Sequence, residues 1–452
     1  MPPASTLERR LTTGDAAAIV VSNVIGSGIL ITPAFIAASA PTAGSMIGAW
    51  FVGGLLAFAG AMAYAELAAL RPRAGGEYVY LYEAFGPLAA FLTGWTSFVA
   101  GFSGAIAASA VGLASYLGRF FPAAGDTTEL LALPLGWGRL SVSAQSLVAL
   151  TAIAVLSCVH IRGLGPGRVV QNVLAVAKVL ALVGFVAAGL SWGRGSFANF
   201  AAGGAGTAAG FLVALIPVMF SYSGWNAAAY VAEEVRDPGR NVPRALALGT
   251  GTVILVYLAL NLLYVYAMPV PELVGLKVRV VDAVADRLFG AGAGNVLALI
   301  TIFIVTGSIS AMVFAGPRVY FAMARDGLFV PRAAHVHPRY RTPAVAIAAQ
   351  GVWSGLLVLS GTFSQLVEYT GFAVVLFSGV AVAALFVLRW REPDAERPFR
   401  ALGYPLAPAV FVLASAAIVL NAVVSSPGPS LAGLAIIAAG VPVYFALRAR
   451  AK

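Results

Sequence analysis

Two short stretches of this sequence set glycine, serine and aromatic residues in the middle of apolar runs. They are Val24-Ile25-Gly26-Ser27-Gly28-Ile29, with Pro33 a turn later, and Phe220-Ser221-Tyr222-Ser223-Gly224-Trp225-Asn226, after Pro217. Glycine in a helix interior costs about 1 kcal/mol relative to alanine, so a helix is expected to unwind at each place. Unwinding frees backbone N–H and C=O groups, and an unsatisfied one in a bilayer costs several kcal/mol. Free N–H groups around Ser27 and Gly28, at the start of a second half-helix, would hold an anionic group such as a carboxylate, helped by the helix dipole. Free carbonyls around Val24 and Phe220, ending the first halves, would hold an ammonium. Donors on one side and acceptors on the other suit a zwitterionic α-amino acid. Neither stretch contains Asp, Glu, Lys or Arg, so a neutral side chain is expected.

Other chemistries find little support. The single cysteine, Cys158, cannot form an internal disulfide, and the three histidines show no metal-ligand spacing, so neither a metal nor a cofactor is expected. A membrane-embedded enzyme would need catalytic groups converging at depth, and few ionisable residues apart from Lys178 lie within the apolar segments. No catalytic residue is assigned. A channel would want a continuous polar lining, whereas interrupted helices argue for an occluding site. Lys178 itself lies about 10 residues into its helix, roughly 15 Å deep at about 1.5 Å per residue, close to the middle of a hydrocarbon core of about 30 Å. A lysine there needs a polar cavity or a partner, which makes it a functional candidate.

The elements that must position these residues are membrane helices. The chain has 452 residues, 60% hydrophobic and 10% charged, with a mean hydropathy of +0.90, which leaves too little polar surface for a soluble domain. Apolar segments at about 15–40, 43–70, 85–118, 141–160, 167–190, 207–235, 243–268, 293–325, 342–360, 363–388, 405–425 and 428–447 read as twelve transmembrane helices of an all-α membrane protein. The first run is too long for a signal peptide and reads as a retained helix. Of the 28 Lys and Arg, 21 fall at the two termini and in the even-numbered connections, and 6 in the odd-numbered ones. The positive-inside rule then puts both termini (1–14 and 448–452) in the cytoplasm, and a place in the inner, plasma membrane is expected. The net charge of +10 is thus a topology signal and not a sign of a nucleic-acid partner. The breaks fall in helices 1 and 6, an odd offset, so 15–190 and 207–388 read as two inverted five-helix repeats, with 405–447 supplying two additional helices.

Four stretches resemble the amino acid–polyamine–organocation (APC) family, and within it the L-amino-acid-transporter branch, prokaryotic members included. They are Ile25 to Ile29; Tyr64-Ala65-Glu66-Leu67 leading to Gly75-Gly76-Glu77-Tyr78; Phe220 to Asn226 leading to Glu233-Glu234; and Tyr320-Phe321-Ala322-Met323-Ala324-Arg325-Asp326-Gly327. The resemblance implies the LeuT-type fold and sodium-independent transport of neutral L-amino acids by alternating access, as an exchanger or a proton-coupled symporter. Cationic amino acids or polyamines are the alternative, and an acidic residue in the pocket would favour them.

Carried onto matching positions, it implies Val24, Ile25, Gly26, Ser27, Gly28, Phe220, Ser221, Tyr222, Ser223, Gly224 and Asn226 as substrate-binding residues. Ser27 and Gly28 would take the carboxylate, and the carbonyls of Val24, Phe220 and Ser223 the amino group. Phe220 would also be an aromatic lid, Trp225 and Asn226 would shape the side-chain pocket, and Tyr264 would be a gating tyrosine. Lys178 would stand where sodium-coupled relatives bind an ion, bracing the first helix. Glu66, Glu233 and Glu234 read as solvated helix-end charges, with inner-gate ion pairs the alternative. Residues 71–87 read as an interfacial amphipathic segment. Animal heteromeric members tether a subunit through a cysteine after helix 3; residues 119–140 contain none, so no disulfide-linked subunit is expected.

Overall fold

The computed structural model describes residues 7–26, 28–135, 138–276, 279–361, 363–425 and 427–450. Ser27, a candidate carboxylate contact, lies outside the described residues.

The chain folds into helices joined by short connections. In order they are α1 (Thr13–Val24), α2 (Gly28–Ser39), α3 (Ala43–Leu70), α4 (Glu77–Phe85), α5 (Pro87–Leu117), α6 (Ala144–Ile161), α7 (Leu164–Trp192), α8 (Ala208–Tyr222) and α9 (Ala227–Tyr230). Then follow α10 (Pro238–Ala267) and, after a short helical turn at Val270–Val274, α11 (Val280–Phe289), α12 (Ala293–Ala315), α13 (Pro317–Arg325), α14 (Ala344–Ser360), α15 (Phe363–Arg391), α16 (Leu406–Ser425) and α17 (Pro427–Arg450). Among the described residues nine helices are long and apolar enough to cross a membrane, and α8 and α14 are shorter apolar helices. Among the described residues, the two strands are those of an antiparallel hairpin, β1 (Leu131–Leu135) paired with β2 (Gly138–Val142), between α5 and α6.

Local chemistry sets the helix starts. Thr12 caps α1 in a capping box with Asp15, Thr42 caps α3 with Ser45, and Ser143 caps α6 with Ser146. The α1 cap is tied to α7 as well, because Asn172 donates to Asp15 Oδ1 at 2.5 Å. α5 runs through a π-helical turn at Ser97–Gly101, beside the cavity described below.

α7 shows the polarity of a membrane helix. Val169, Val173, Val176, Leu180 and Val183 recur at helical spacing and are exposed, while Gln171, Ala175, Lys178, Leu182 and Phe185 on the other face are buried. An outward apolar stripe with polar groups inside is the pattern lipid demands, and the chain is a multi-pass membrane protein. α1 packs on α7, α10 and α12, while α2 packs on α8. Both interruptions are thereby brought to the middle of the bundle.

Candidate binding site

At the first interruption α1 stops at Val24 because Ile25 turns extended, at φ −72° and ψ 93°. At the second, α8 stops at Tyr222, Ser223 is extended, and Gly224 takes φ +100°, a conformation side chains with a Cβ rarely adopt. The two breaks touch. A Cβ on Gly28 would stand 3.0 Å from Ser221 Cα, so only glycine lets the start of α2 approach the end of α8 this closely. Thr32 Oγ1 and Ser221 Oγ, 2.7 Å apart, pin the same contact.

Between and beside the breaks lies a cavity of about 240 Å³. Its described lining includes Asn23, Val24, Gly26, Gly28, Phe220, Ser221, Ser223, Gly224, Trp225 and Asn226 from the two breaks, with Ser308 and Met312 from α12. Thr93, Thr96, Ser97 and Phe102 of α5, and Phe377 and Phe411 of α15 and α16, complete much of the wall. Phe220 is 42% exposed and stands over this space. Of the sequence candidates, Ile25 and Tyr222 turn away. Tyr222 is buried, its hydroxyl donating to the Trp50 carbonyl at 3.2 Å, and Ile25 is buried too. Successive residues of a helix point about 100° apart, so one stretch cannot aim every side chain at one cavity.

The freed carbonyls are largely taken up by side chains from other helices. Lys178 Nζ, fully buried, donates to the carbonyls of Ser22 at 3.1 Å and Ile25 at 2.8 Å and reaches Ser308 Oγ at 3.4 Å. Ser308 Oγ also donates to the Ile25 carbonyl, at 2.9 Å. Tyr257 of α10 donates to the Val24 carbonyl at 2.8 Å and lies 3.2 Å from the Ser221 carbonyl, so one hydroxyl spans both breaks. The Phe220 carbonyl accepts the Ser223 N–H at 3.0 Å. The expectation of wholly free acceptors at Val24 and Phe220 is thus narrowed: each carbonyl retains one of its two lone pairs. Tyr264, two helical turns beyond Tyr257, is buried and is not among the described lining residues.

At the end of the bundle rich in Lys and Arg, the expectation of solvated glutamates fails. Glu66 is fully buried, bound by Arg389 at 2.6 Å, by Arg397 at 3.1 Å and by the Ala401 N–H at 2.6 Å. Glu234 is fully buried against Arg318, at 2.7 and 3.1 Å, and Arg318 also donates to the Phe314 carbonyl. Glu233 pairs with Arg325, Arg71 with Glu392 and Arg73 with Asp326. The reason is sequence distance: Arg389 and Arg397 lie more than 300 residues from Glu66, beyond the reach of local pattern.

Glu77 was likewise missed as a site residue. It opens α4, outside the spans, yet reaches the cavity, where it is the one charged side chain among the described lining residues. Its Oε2 accepts from Tyr64 Oη at 2.9 Å and Asn226 Nδ2 at 3.3 Å, and its Oε1 from Thr93 Oγ1 at 3.3 Å. Burial pushes its pKa above the ordinary value, against the opposing pull of these hydrogen bonds.

A family model described as "Amino acid permease" matches residues 11–447. The chain is 31% identical over 451 residues, 97% of its length, to the large neutral amino acids transporter small subunit 2 of Mus musculus, covering 81% of that protein. It is 29% identical over 439 residues to the serine/threonine exchanger SteT of Bacillus subtilis (strain 168), covering 96% of each chain. Against the b(0,+)-type amino acid transporter 1 of Mus musculus it is 29% identical over 433 residues, 94% of this chain and 85% of that one. The chain belongs to the amino acid permease family of the APC group: it is a membrane transporter of amino acids and not an enzyme.

Proposed function

We propose that this permease carries neutral L-amino acids across the plasma membrane by alternating access, independently of sodium, as an exchanger or a proton-coupled symporter. The observation that carries this reading is the meeting of the two helix breaks at one cavity, with Gly28 against Ser221 and backbone groups of both breaks in its wall. The α-carboxylate would rest at the start of α2 and the α-amino group against the remaining lone pairs of the Val24 and Phe220 carbonyls. Lys178 supports sodium independence, since its ammonium already occupies the Ser22 and Ile25 carbonyls and Ser308 that a cation would otherwise use.

Counting the α1–α2 and α8–α9 pairs as one passage each, and α14 as another, with the nine long helices, gives twelve passages. That count, with breaks in the first and sixth, supports a LeuT-type arrangement of repeats at 15–190 and 207–388 with 405–447 added. The basic end of the bundle would face the cytoplasm, with both termini. The lone cysteine lies in α6 and not between α5 and α6, which supports a transporter that works without a disulfide-linked subunit.

One observation favours the cationic alternative: the Glu77 carboxylate in the cavity wall. Its three hydrogen bonds from Tyr64, Thr93 and Asn226 make it part of that wall, and the neutral reading stands ahead of it. The deciding experiment uses purified protein. Thermal-shift screening against the amino acids should show stabilisation by neutral ones above lysine, arginine and polyamines. Uptake into liposomes should proceed without sodium and rise with internal substrate or an inward proton gradient. Uptake confined to cationic substrates, or a strict need for sodium, would overturn the reading.

A further inference from the structure

Glu77 is an unusual carboxylate for this molecule. The acids around it are matched to arginines: Glu66 to Arg389 and Arg397, Glu234 to Arg318, and Glu233 to Arg325. The hydrogen-bond donors to Glu77, namely Tyr64, Thr93 and Asn226, are neutral and come from α3, α5 and the segment after the second break. A carboxylate has no proton to donate, so the edge of the Asn226 amide that faces it has to be the NH2 edge. The second Nδ2 hydrogen goes to Tyr230 Oη, at 3.1 Å. Both amide hydrogens are then engaged. What Asn226 can offer the cavity it lines is Oδ1, a pure acceptor.

We propose that Glu77 is a positioning residue: it locks the Asn226 amide with Oδ1 toward the cavity, so that the pocket selects amino acids whose side chain donates a hydrogen bond, such as a hydroxyl. The inference rests on the transport reading above. Asn226 lies two residues beyond Gly224, past the backbone that receives the α-amino and α-carboxyl groups. An acceptor at that distance meets the side chain, and leaving it without a donor inside a low-dielectric pocket is unfavourable. Glu77 does this work from outside the membrane spans, because the turn at Gly75 and Gly76 delivers α4 under α9, with the Gly75 N–H donating to the Tyr230 carbonyl at 3.1 Å.

The titratable groups that face Glu77 are tyrosines: Tyr64 from α3, Tyr80 from its own helix and Tyr230 from α9. Beyond them stand the paired arginines Arg318 and Arg325 of α13 and Arg389 of α15, together with Arg391 of α15, which donates to the Ala84 carbonyl. Protonation of Glu77 would let a hydroxyl or the carboxyl itself turn round and free the amide. The selectivity should therefore weaken in acid.

The test is competition in liposomes between side chains of equal shape that differ by a hydroxyl: threonine against valine, and serine against alanine. In the wild-type protein threonine should compete about tenfold better than valine. Glu77→Gln places an NH2 where the carboxylate was, allows the Asn226 amide to flip, and should bring that ratio near one through KM. Glu77→Asp should retain part of the ratio. Tyr230→Phe leaves Glu77 in place but releases the other amide hydrogen, and should lower the ratio about threefold, which keeps the test open if Glu77→Gln fails to fold. An unchanged ratio in both Glu77→Gln and Tyr230→Phe, or an equal loss for all substrates, overturns the proposal. A wild-type preference for lysine that Glu77→Gln abolishes would make Glu77 a direct cation site and also overturn it. If the wild type carries no amino acid at all, the transport reading falls too; if it carries valine as well as threonine, only this inference falls.

Discussion

The helix breaks and the basic end of the bundle join their elements by opposite means. At the breaks the linking groups are backbone carbonyls, hydroxyls and one ammonium: Tyr257 spans Val24 and Ser221, and Lys178 and Ser308 hold Ile25. At the basic end the links are ion pairs, two of them around fully buried glutamates. A site that must take up and release a ligand is served by hydroxyl-to-carbonyl bonds of about 1 kcal/mol each, which exchange for ligand contacts at little net cost, with Lys178 as the fixed brace behind them. In the alternating-access cycle proposed above, an end that stays closed through part of the cycle would be served by charge pairs whose separation without water is expensive. The molecule thus places its weak, exchangeable polar contacts around the cavity and its strong ones at the end.

That contrast can be broken most severely at the charged end. Arg318→Ala leaves Glu234 buried without its cation, and thermal unfolding in detergent should show a loss of about 3–5 kcal/mol. Replacing both partners with apolar residues of similar size should recover most of it, and a single variant as stable as wild type would show that the pair holds nothing. Next in size is Lys178→Ala, which strips the Ser22 and Ile25 carbonyls and Ser308 of their shared donor at about 1–3 kcal/mol per group. Liposome uptake should fall about a hundredfold, and undiminished uptake would remove Lys178 from the mechanism. A smaller effect sharpens the comparison: Tyr257→Phe should weaken substrate binding about tenfold while the melting temperature changes little, because one hydroxyl at the breaks is replaceable by water. The smallest effect concerns the one acid among the described lining residues of the cavity. Because burial raises the pKa of Glu77, the threonine-to-valine ratio should fall a few-fold as pH is lowered, starting above the ordinary glutamate value of about 4.3. The decline should be absent in Glu77→Gln, and a pH-independent wild-type ratio would count against an anionic Glu77.

Much of the scaffold was legible in the residues. The second span, expected at 43–70, is Ala43–Leu70, and the fourth and fifth, expected at 141–160 and 167–190, are Ala144–Ile161 and Leu164–Trp192. Hydrophobic length is a one-dimensional property, so it survives folding unchanged. The breaks were legible for the same reason, glycine being unfavourable in a helix whatever surrounds it. Around the site the record is mixed. Gly28, Ser221 and Asn226 line the cavity, while Ile25 and Tyr222 face elsewhere, since the rotation of each half-helix follows its neighbours and not its own sequence.

By itself, then, the sequence determined that this chain is a bundle of membrane helices with two uncharged interruptions and a lysine midway along an apolar helix, because apolar length, glycine cost and position within a segment are set residue by residue along the chain. Only the tertiary structure decided which groups meet. It brought Tyr257 across both breaks and Arg389 and Arg397 to Glu66. It also carried Glu77 from a connecting segment to Asn226, supplying the cavity with an acid that neither break contains. Those pairings join residues 36 to more than 300 positions apart. They depend on how helices rotate and pack, which no periodicity within a single segment encodes.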